Sequence, residues 1–294
     1  MFLSNLRVEI ASQCARVKGM SDDDRKVVTS GDDLVEYYRS VNKDGSLYVG
    51  IEWERSGVYR DTLEPVKYDD DKGYLAVLKK LASEVGWEIL SGHRNYILEL
   101  KRGETKVTIE SDGRLELAGS PQKSLHDLAR EFRIHANEVA EVGNFFNIAW
   151  LPLGWQPLHK DEEITLMPSR RYEIFKKFTR NKWMAGYMKR NNGLTANFSF
   201  TDEENAIRKV QTAFRILPIV GAMFASSGLS ESGLADVLDM RRNCVHEFFP
   251  GRTEMPRNIL EKDFSYKEWI EDYLDIPVIL IKREGREDLS PEGG

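Results

Sequence analysis

The sequence predicts an α+β protein whose sheet is built from antiparallel hairpins rather than from crossover units. Three observations carry that expectation. Runs of alternating apolar and polar residues come in pairs joined by glycine-containing turns, near Gly103 and near Asp112-Gly113. Longer stretches at helical spacing lie between these pairs rather than after every strand. No glycine-rich phosphate loop of either standard type opens a helix. A nucleotide, if one binds, must then be held by a sheet face carrying side chains and metal ions.

Residues 1–30 have weak periodicity and the acidic run Asp22-Asp23-Asp24, and are expected to be loosely held. A short helix is predicted over Gly31 to Ser40. A strand over Tyr48 to Trp53 should put Ile51 and Trp53 on one face and Glu52 and Glu54 on the other. Tyr74, Leu75, Leu78, Leu81, Ala82 and Val85 share helical spacing within residues 70–86, and Gly86 should end that helix. Next, Tyr96, Leu98 and Leu100 alternate with Ile97 and Glu99, with Arg102-Gly103 as the two-residue turn.

The second turn is fixed by polarity. A two-residue loop would set Glu110 against Leu115. The three-residue loop Ser111-Asp112-Gly113 sets Glu110 against Arg114, Thr108 against Glu116, Ile109 against Leu115 and Val107 against Leu117. That register separates polar from apolar and puts Gly113 where a left-handed residue is needed.

A long helix is expected from about Ser124 to Val142, with Leu125, Leu128, Phe132, His135 and Val139 inward. A strand over Phe146 to Gly154 follows, and then a helix over Arg170 to Arg180. In the strand Leu194 to Phe200, Leu194, Ala196, Phe198 and Phe200 share one face. Thr201-Asp202-Glu203-Glu204 reads as a capping box for a helix to about Leu217, which Pro218 should kink or end. Ser265-Tyr266-Lys267-Glu268 is a second capping box, and Pro277 to Arg283 is the last expected strand. The charged, Gly/Pro-containing stretch 284–294 is expected to be disordered. One domain is therefore expected over 31–283.

Composition narrows the function classes. A net charge of −6 argues against a general nucleic-acid or membrane-surface role. The local exception is Arg170 to Arg190, with eight basic residues and the single acid Glu173. It suits either a solvated helix face or an RNA- or polyanion-binding surface. No run reaches the roughly 20 apolar residues of a membrane span, and no secretory signal or clear transit peptide is read at the N-terminus. Cys14 and Cys244 are expected to be reduced thiols of a cytoplasmic protein.

The polar strand faces collect Glu52, Glu54, Glu110, Glu116, Arg114 and Asn197. Residues i and i+2 of a strand point the same way, roughly 6.5 Å apart. Glu52 and Glu54 could thus each reach one of two neighbouring divalent ions, although Glu-x-Glu is also common on solvated sheets. Crowded carboxylates repel one another, and bound Mg²⁺ removes that repulsion. His126, His135 and His159 lack metal-ligand spacing.

The order of these pieces resembles the glutamate–cysteine ligase family of the plant and proteobacterial type. Gly50-Ile51-Glu52-Trp53-Glu54-Arg55 is similar to its G-T-E-H-E-K segment, and Glu64-Pro65-Val66-Lys67-Tyr68 to L-R-P-M-K-Y. Glu110 to Pro121 resembles its most distinctive motif, E-P-G-G-Q-F-E-L-S-G-A-P. Gly154-Trp155-Gln156-Pro157, Met167 to Ile174 and Asp272 to Pro277 are similar to G-F-Q-P, M-P-K-G-R-Y-E-I and Y-A-L-D-V-P. The resemblance spans residues 31–283 in one order. It departs at Thr195, Ser199, the stretch Met240 to Val245, and Glu254.

The resemblance implies a glutamine-synthetase-like fold, with a curved, mostly antiparallel sheet forming a funnel and helices outside. It implies that γ-glutamyl phosphate forms from ATP and glutamate, and that cysteine or another amine then attacks it, the first step of glutathione biosynthesis. The implied sites are Glu52, Glu54, Glu110 and Glu116 for Mg²⁺ or Mn²⁺, Asn197 and Arg114 for the nucleotide, and Arg171, Arg241 and Arg252 for gripping carboxylate or phosphate. The family's chain continues past the Pro277 strand. One side of the funnel is therefore expected to be open, or covered by a second copy or a partner. A non-catalytic homologue that keeps the fold is the alternative reading.

Overall fold

The computed structural model describes residues 29–40, 45–93, 96–168, 172–175, 182–248, 253–276, 280–283 and 286–289. Its centre is a six-stranded sheet in the order β3-β4-β5-β6-β1-β8. The strands are β1 (Val49–Arg55), β3 (Glu88–His93), β4 (Tyr96–Arg102), β5 (Thr105–Ile109), β6 (Leu115–Ala118) and β8 (Leu194–Phe198). All neighbours in it are antiparallel. A two-stranded ribbon pairs β2 (Gly57–Tyr59) with β7 (Ile148–Trp150). The α+β expectation holds, and the sheet is open at β3 and β8 rather than closed into a barrel.

Alternation decides which face is buried. Leu100, Val107 and Leu117 lie opposite one another in register, Leu115 lies opposite Ile109, and all four leucine and valine side chains are inaccessible to solvent. In one cluster with Leu100, Val107 and Leu115 are α2 (Tyr74–Glu84), through Val77, Leu78 and Leu81, and α3 (Leu125–Phe145), through Val139 and Val142. Trp53 of β1 stacks on Phe132 of α3 at 4.3 Å. Burying each such aliphatic side chain contributes about 1.5–3 kcal/mol. Arg55 shares this apolar face. It lies over the Trp53 ring at 3.4 Å, and burial lowers its pKa to about 9.

A second apolar cluster joins α1 (Gly31–Ser40), α5 (Glu203–Met223) and α7 (Tyr266–Leu274) through Val35, Ile207, Val210, Phe214, Tyr266 and Ile270. The remaining named elements are α4 (Lys182–Arg190), the ribbon of β9 (Leu229–Ser230) and β10 (Gly233–Leu234), α6 (Met240–Phe248), and the pair β11 (Leu280–Arg283) with β12 (Arg286–Leu289). Among the described residues, no helix is long and apolar enough to cross a membrane.

Several local expectations are corrected. The β4–β5 turn is Gly103-Glu104, since Arg102 pairs with Thr105. That register brings Leu100 against Val107, which an Arg102-Gly103 turn would not. Irregular β3–β4 pairing around Ser91 shifts the phase of β4, so Ile97 is buried while Leu98 is exposed. Leu125 opens α3 and is exposed, and α3 runs on to Phe145, leaving only a three-residue β7.

The N-cap of α5 is Asp202, whose carboxylate accepts from Asn205 N–H at 2.8 Å; the Thr201-to-Glu204 box is not used. α5 passes through Pro218 to Met223, because a proline forfeits one hydrogen bond without forbidding the next turn. The Ser265/Glu268 capping box is present, with Ser265 N–H donating to Glu268 at 2.8 Å. Arg286–Leu289 forms a strand where the charged sequence suggested none. Cys244 is buried, and burial pushes its thiol up to about 12; Cys14 lies outside the described residues, as do residues 1–28.

Truncation on the apolar face should cost most where that face is closed to solvent and least at its exposed edge. Leu117→Ala is expected to cost about 2–5 kcal/mol of unfolding free energy, as a core cavity does. Phe198→Ala, on the exposed edge strand β8, should stay within about 0.5 kcal/mol. Urea unfolding of the two variants checks this, and equal losses would contradict the burial assigned to the two positions.

Candidate functional site

The polar face of the sheet gathers carboxylates because two hairpin strands and β1 run in phase. Glu54 lies opposite Glu116, and Thr108 lies opposite Glu116 on its other side. The β5–β6 loop has the three-residue form. Glu110 N–H donates to the Arg114 carbonyl at 3.0 Å, Gly113 N–H donates to the Glu110 carbonyl at 2.9 Å, and Gly113 has φ +91°. A side chain at Gly113 would be strained by that φ, and it would meet Tyr68 and Tyr74 at 3.2 Å.

Ligand oxygens of Glu54, Glu110 and Glu116 all lie within 4.8 Å of one another. Glu52 is on the same face one step along β1, opposite Ala118 and Thr195, and its charge acts on Glu116. Burial, then Glu110 and Glu54, raise Glu116 to about 8, while a hydrogen bond from Thr108 Oγ1 works against the rise. Carboxylates this close cannot all ionise without added positive charge.

Arg114 supplies the nearest positive charge. Its side chain is 2% exposed, with NH2 3.1 Å from Glu54 Oε2 and 3.8 Å from Glu110 Oε2. NH1 bonds Asp112 and the Met188 carbonyl. Burial pulls its pKa down, but Asp112, Glu54 and Glu110 outweigh that and hold it well above the usual range. Glu54 Oε2 accepts twice more, from Asn191 Nδ2 at 3.0 Å and Gly193 N–H at 2.9 Å. Asn191 Oδ1 in turn accepts from Arg241 Nε at 2.6 Å.

Gly193 permits this approach. A Cβ there would stand 2.9 Å from the Arg241 guanidinium and 3.2 Å from the Glu54 carboxylate. Burial raises the Tyr187 hydroxyl pKa, and Glu54 raises it further. Burial lowers Arg241, and Glu54 opposes that shift. The sheet face, α4, the loop after it and α6 therefore enclose one electrostatic unit.

Of the residues singled out from sequence, Glu54, Glu110, Glu116, Arg114 and Arg241 come together here. Glu52 lies beside them. Asn197 lies farther along β8, opposite Gly50. Arg171 and Arg252 lie outside the described residues. Asp112, Tyr187, Asn191 and Gly193 join the site without having been singled out. Asn191-Asn192-Gly193 carried only a turn signal, and Tyr187 carried none. Arg190, last of the basic run, is turned inward. It donates to the Gln156 carbonyl, pairs with Glu231 and lies over Trp155, so it does not serve a polyanion surface.

Residues 48–292 match the family described as Glutamate-cysteine ligase family 2 (GCS2). The chain is 30% identical over 255 residues to glutamate–cysteine ligase A, chloroplastic, of Oryza sativa subsp. japonica, covering 86% of this chain and 51% of that protein. It is 29% identical over 259 residues to the chloroplastic glutamate–cysteine ligase of Arabidopsis thaliana, covering 87% of this chain and 49% of that one. The chain spans about half the length of the curated relatives it matches.

The raised Glu116 pKa makes stability depend on pH. Between its ordinary 4.5 and about 8 the folded state binds the proton and the unfolded chain does not. The stabilisation is complete below 4.5 and is lost as pH rises through about 8. In chelator, the unfolding free energy of the wild type should fall across that window, and Glu116→Gln should flatten the fall. Parallel pH profiles for the two proteins would contradict the assignment.

Proposed function

The chain belongs to the glutamate–cysteine ligase family, and from that premise we propose that it is an ATP-dependent carboxylate–amine ligase. The observation that carries this reading is the convergence of Glu54, Glu110 and Glu116 on one sheet face. All three offer hard oxygen donors, which suit Mg²⁺ or Mn²⁺. The proton that Glu116 retains to about pH 8 is one that a divalent cation displaces. When bound there, such a cation supplies charge neutralisation and alignment for the phosphate oxygens of ATP.

The protein's own groups do the rest. Glu54, Glu110 and Glu116 hold the ion. Arg241 is a second buried cation beside them, oriented by Asn191 and suited to grip a phosphate or carboxylate. A glutamate γ-carboxylate oxygen bonds the γ-phosphorus of ATP as the bond to ADP breaks. The nitrogen of cysteine, or of another small amine, then bonds the acyl carbon, phosphate leaves, and the nitrogen loses a proton. Excluding water matters because the acyl phosphate otherwise hydrolyses. The part of the relatives' length that this chain does not span bears on how well the two steps couple.

ATP should stabilise the full chain only with Mg²⁺ or Mn²⁺, by about 2.7 kcal/mol at 100 times Kd. Glu110→Ala should abolish that stabilisation. Equal stabilisation in excess chelator would contradict the reading. Phosphate release in the presence of glutamate and cysteine, counted against γ-glutamylcysteine formed, then tests catalysis. Metal-dependent ATP binding with no phosphate release would favour the non-catalytic homologue.

A further inference from the structure

Arg114 is unusual in where it stands. A guanidinium, permanently charged, occupies the space beside Glu54 and Glu110, the same carboxylates proposed to hold a divalent ion. It is not a surface side chain that has drifted in. It is 2% exposed and anchored from behind by Asp112, two residues earlier in the same loop, and by the Met188 carbonyl of α4. The hairpin that delivers Glu110 and Glu116 delivers Arg114 between them, so the three arrive as one rigid unit.

The hydrogen bonds divide the carboxylates into two groups. Glu54 Oε2 already accepts from Arg114, Asn191 and Gly193, which fills the positions a metal ion would need on that oxygen. Glu116 receives no bond from a cationic group in the described residues; its oxygen accepts from the Thr108 hydroxyl. Positive charge is thus already provided at the Glu54 end, while Glu116, opposite Glu54 across the strand pair, faces the other two carboxylates with a hydroxyl as its donor.

We propose that Arg114 is a resident cation of this site, a positioning residue that holds Glu54 and Glu110 and takes the place of a divalent ion between them. The carboxylate cluster then takes one divalent cation, seated on Glu110, Glu116 and the remaining oxygen of Glu54, rather than two. The proposal rests on the metal-site part of the ligase reading and deepens it. Removing the guanidinium leaves Glu54 and Glu110 facing each other uncompensated, and a metal ion is the available substitute.

The test counts metal ions. The wild type, Arg114→Gln and Arg114→Lys are titrated with Mn²⁺, free ion is read by electron paramagnetic resonance, and melting temperatures are followed in parallel. The wild type should bind one Mn²⁺ in the cluster and Arg114→Gln two, the second site being roughly tenfold or more tighter than any second site in the wild type. Arg114→Lys keeps the charge and should keep the count at one, which a merely structural role would not require.

The double variant Asp112→Asn with Arg114→Gln removes the buried carboxylate that the single variant strands. It keeps the count measurable if Arg114→Gln alone does not fold. No gain of a Mn²⁺ site on losing the guanidinium, whatever the wild-type count, overturns the proposal. A wild type that binds no Mn²⁺, beside an Arg114→Gln that gains one, supports the resident cation while contradicting the metal step of the ligase reading, so the two ideas fail separately.

Discussion

The site depends on the ion pairing of Arg114 with Glu54, Glu110 and Asp112. Three acidic side chains pair with one guanidinium on a half-buried sheet face, with Glu116 close by, and without it their mutual repulsion would oppose the register of β1, β5 and β6. Removing one partner of such a buried pair generally costs several kcal/mol, because the remaining charge is left in a poor solvent. The other face of the same strands carries Leu115 and Leu117, both closed to solvent. The strand phase that buries these leucines therefore also points Glu54 and Glu116 towards each other. Core and site are two consequences of one alternation.

That coupling explains how much of the molecule was legible in the sequence. The Ser111-Asp112-Gly113 loop could be assigned because only that register separates Glu110, Arg114 and Glu116 from Ile109, Leu115 and Leu117. The β4–β5 turn, one residue away from its expected place, had no such constraint. Both faces of β4 are mixed, and the irregular pairing near Ser91 changes their phase. Pro218 misled for a different reason. Local preference marks it as a kink or a helix end, and the helix does not end there because the packing of Ala206, Ile207, Val210 and Phe214 fixes α5 well before the proline is reached.

The enclosing groups were less legible than the sheet. Asn191 and Gly193 reach Glu54 only because α4 ends where it does, and Tyr187 enters through the same packing. Nothing in their spacing announces a site, since the contacts span well over a hundred residues of sequence. Arg241 could be singled out only through the motif resemblance, and its link to Glu54 runs through Asn191, whose one signal is that of a turn. Strand alternation encodes the carboxylates locally. The groups that orient them are set by tertiary packing.

The central claim is that this sheet face is a carboxylate site for a divalent cation. Its most direct test is anomalous diffraction from crystals of the full chain grown with Mn²⁺ and a non-hydrolysable ATP analogue. The account predicts an anomalous peak within about 2.0–2.6 Å of carboxylate oxygens from Glu110 and Glu116, with the Arg114 guanidinium still bonded to Glu54. Nucleotide density with no manganese peak on this face, or a peak held by other residues, would contradict it.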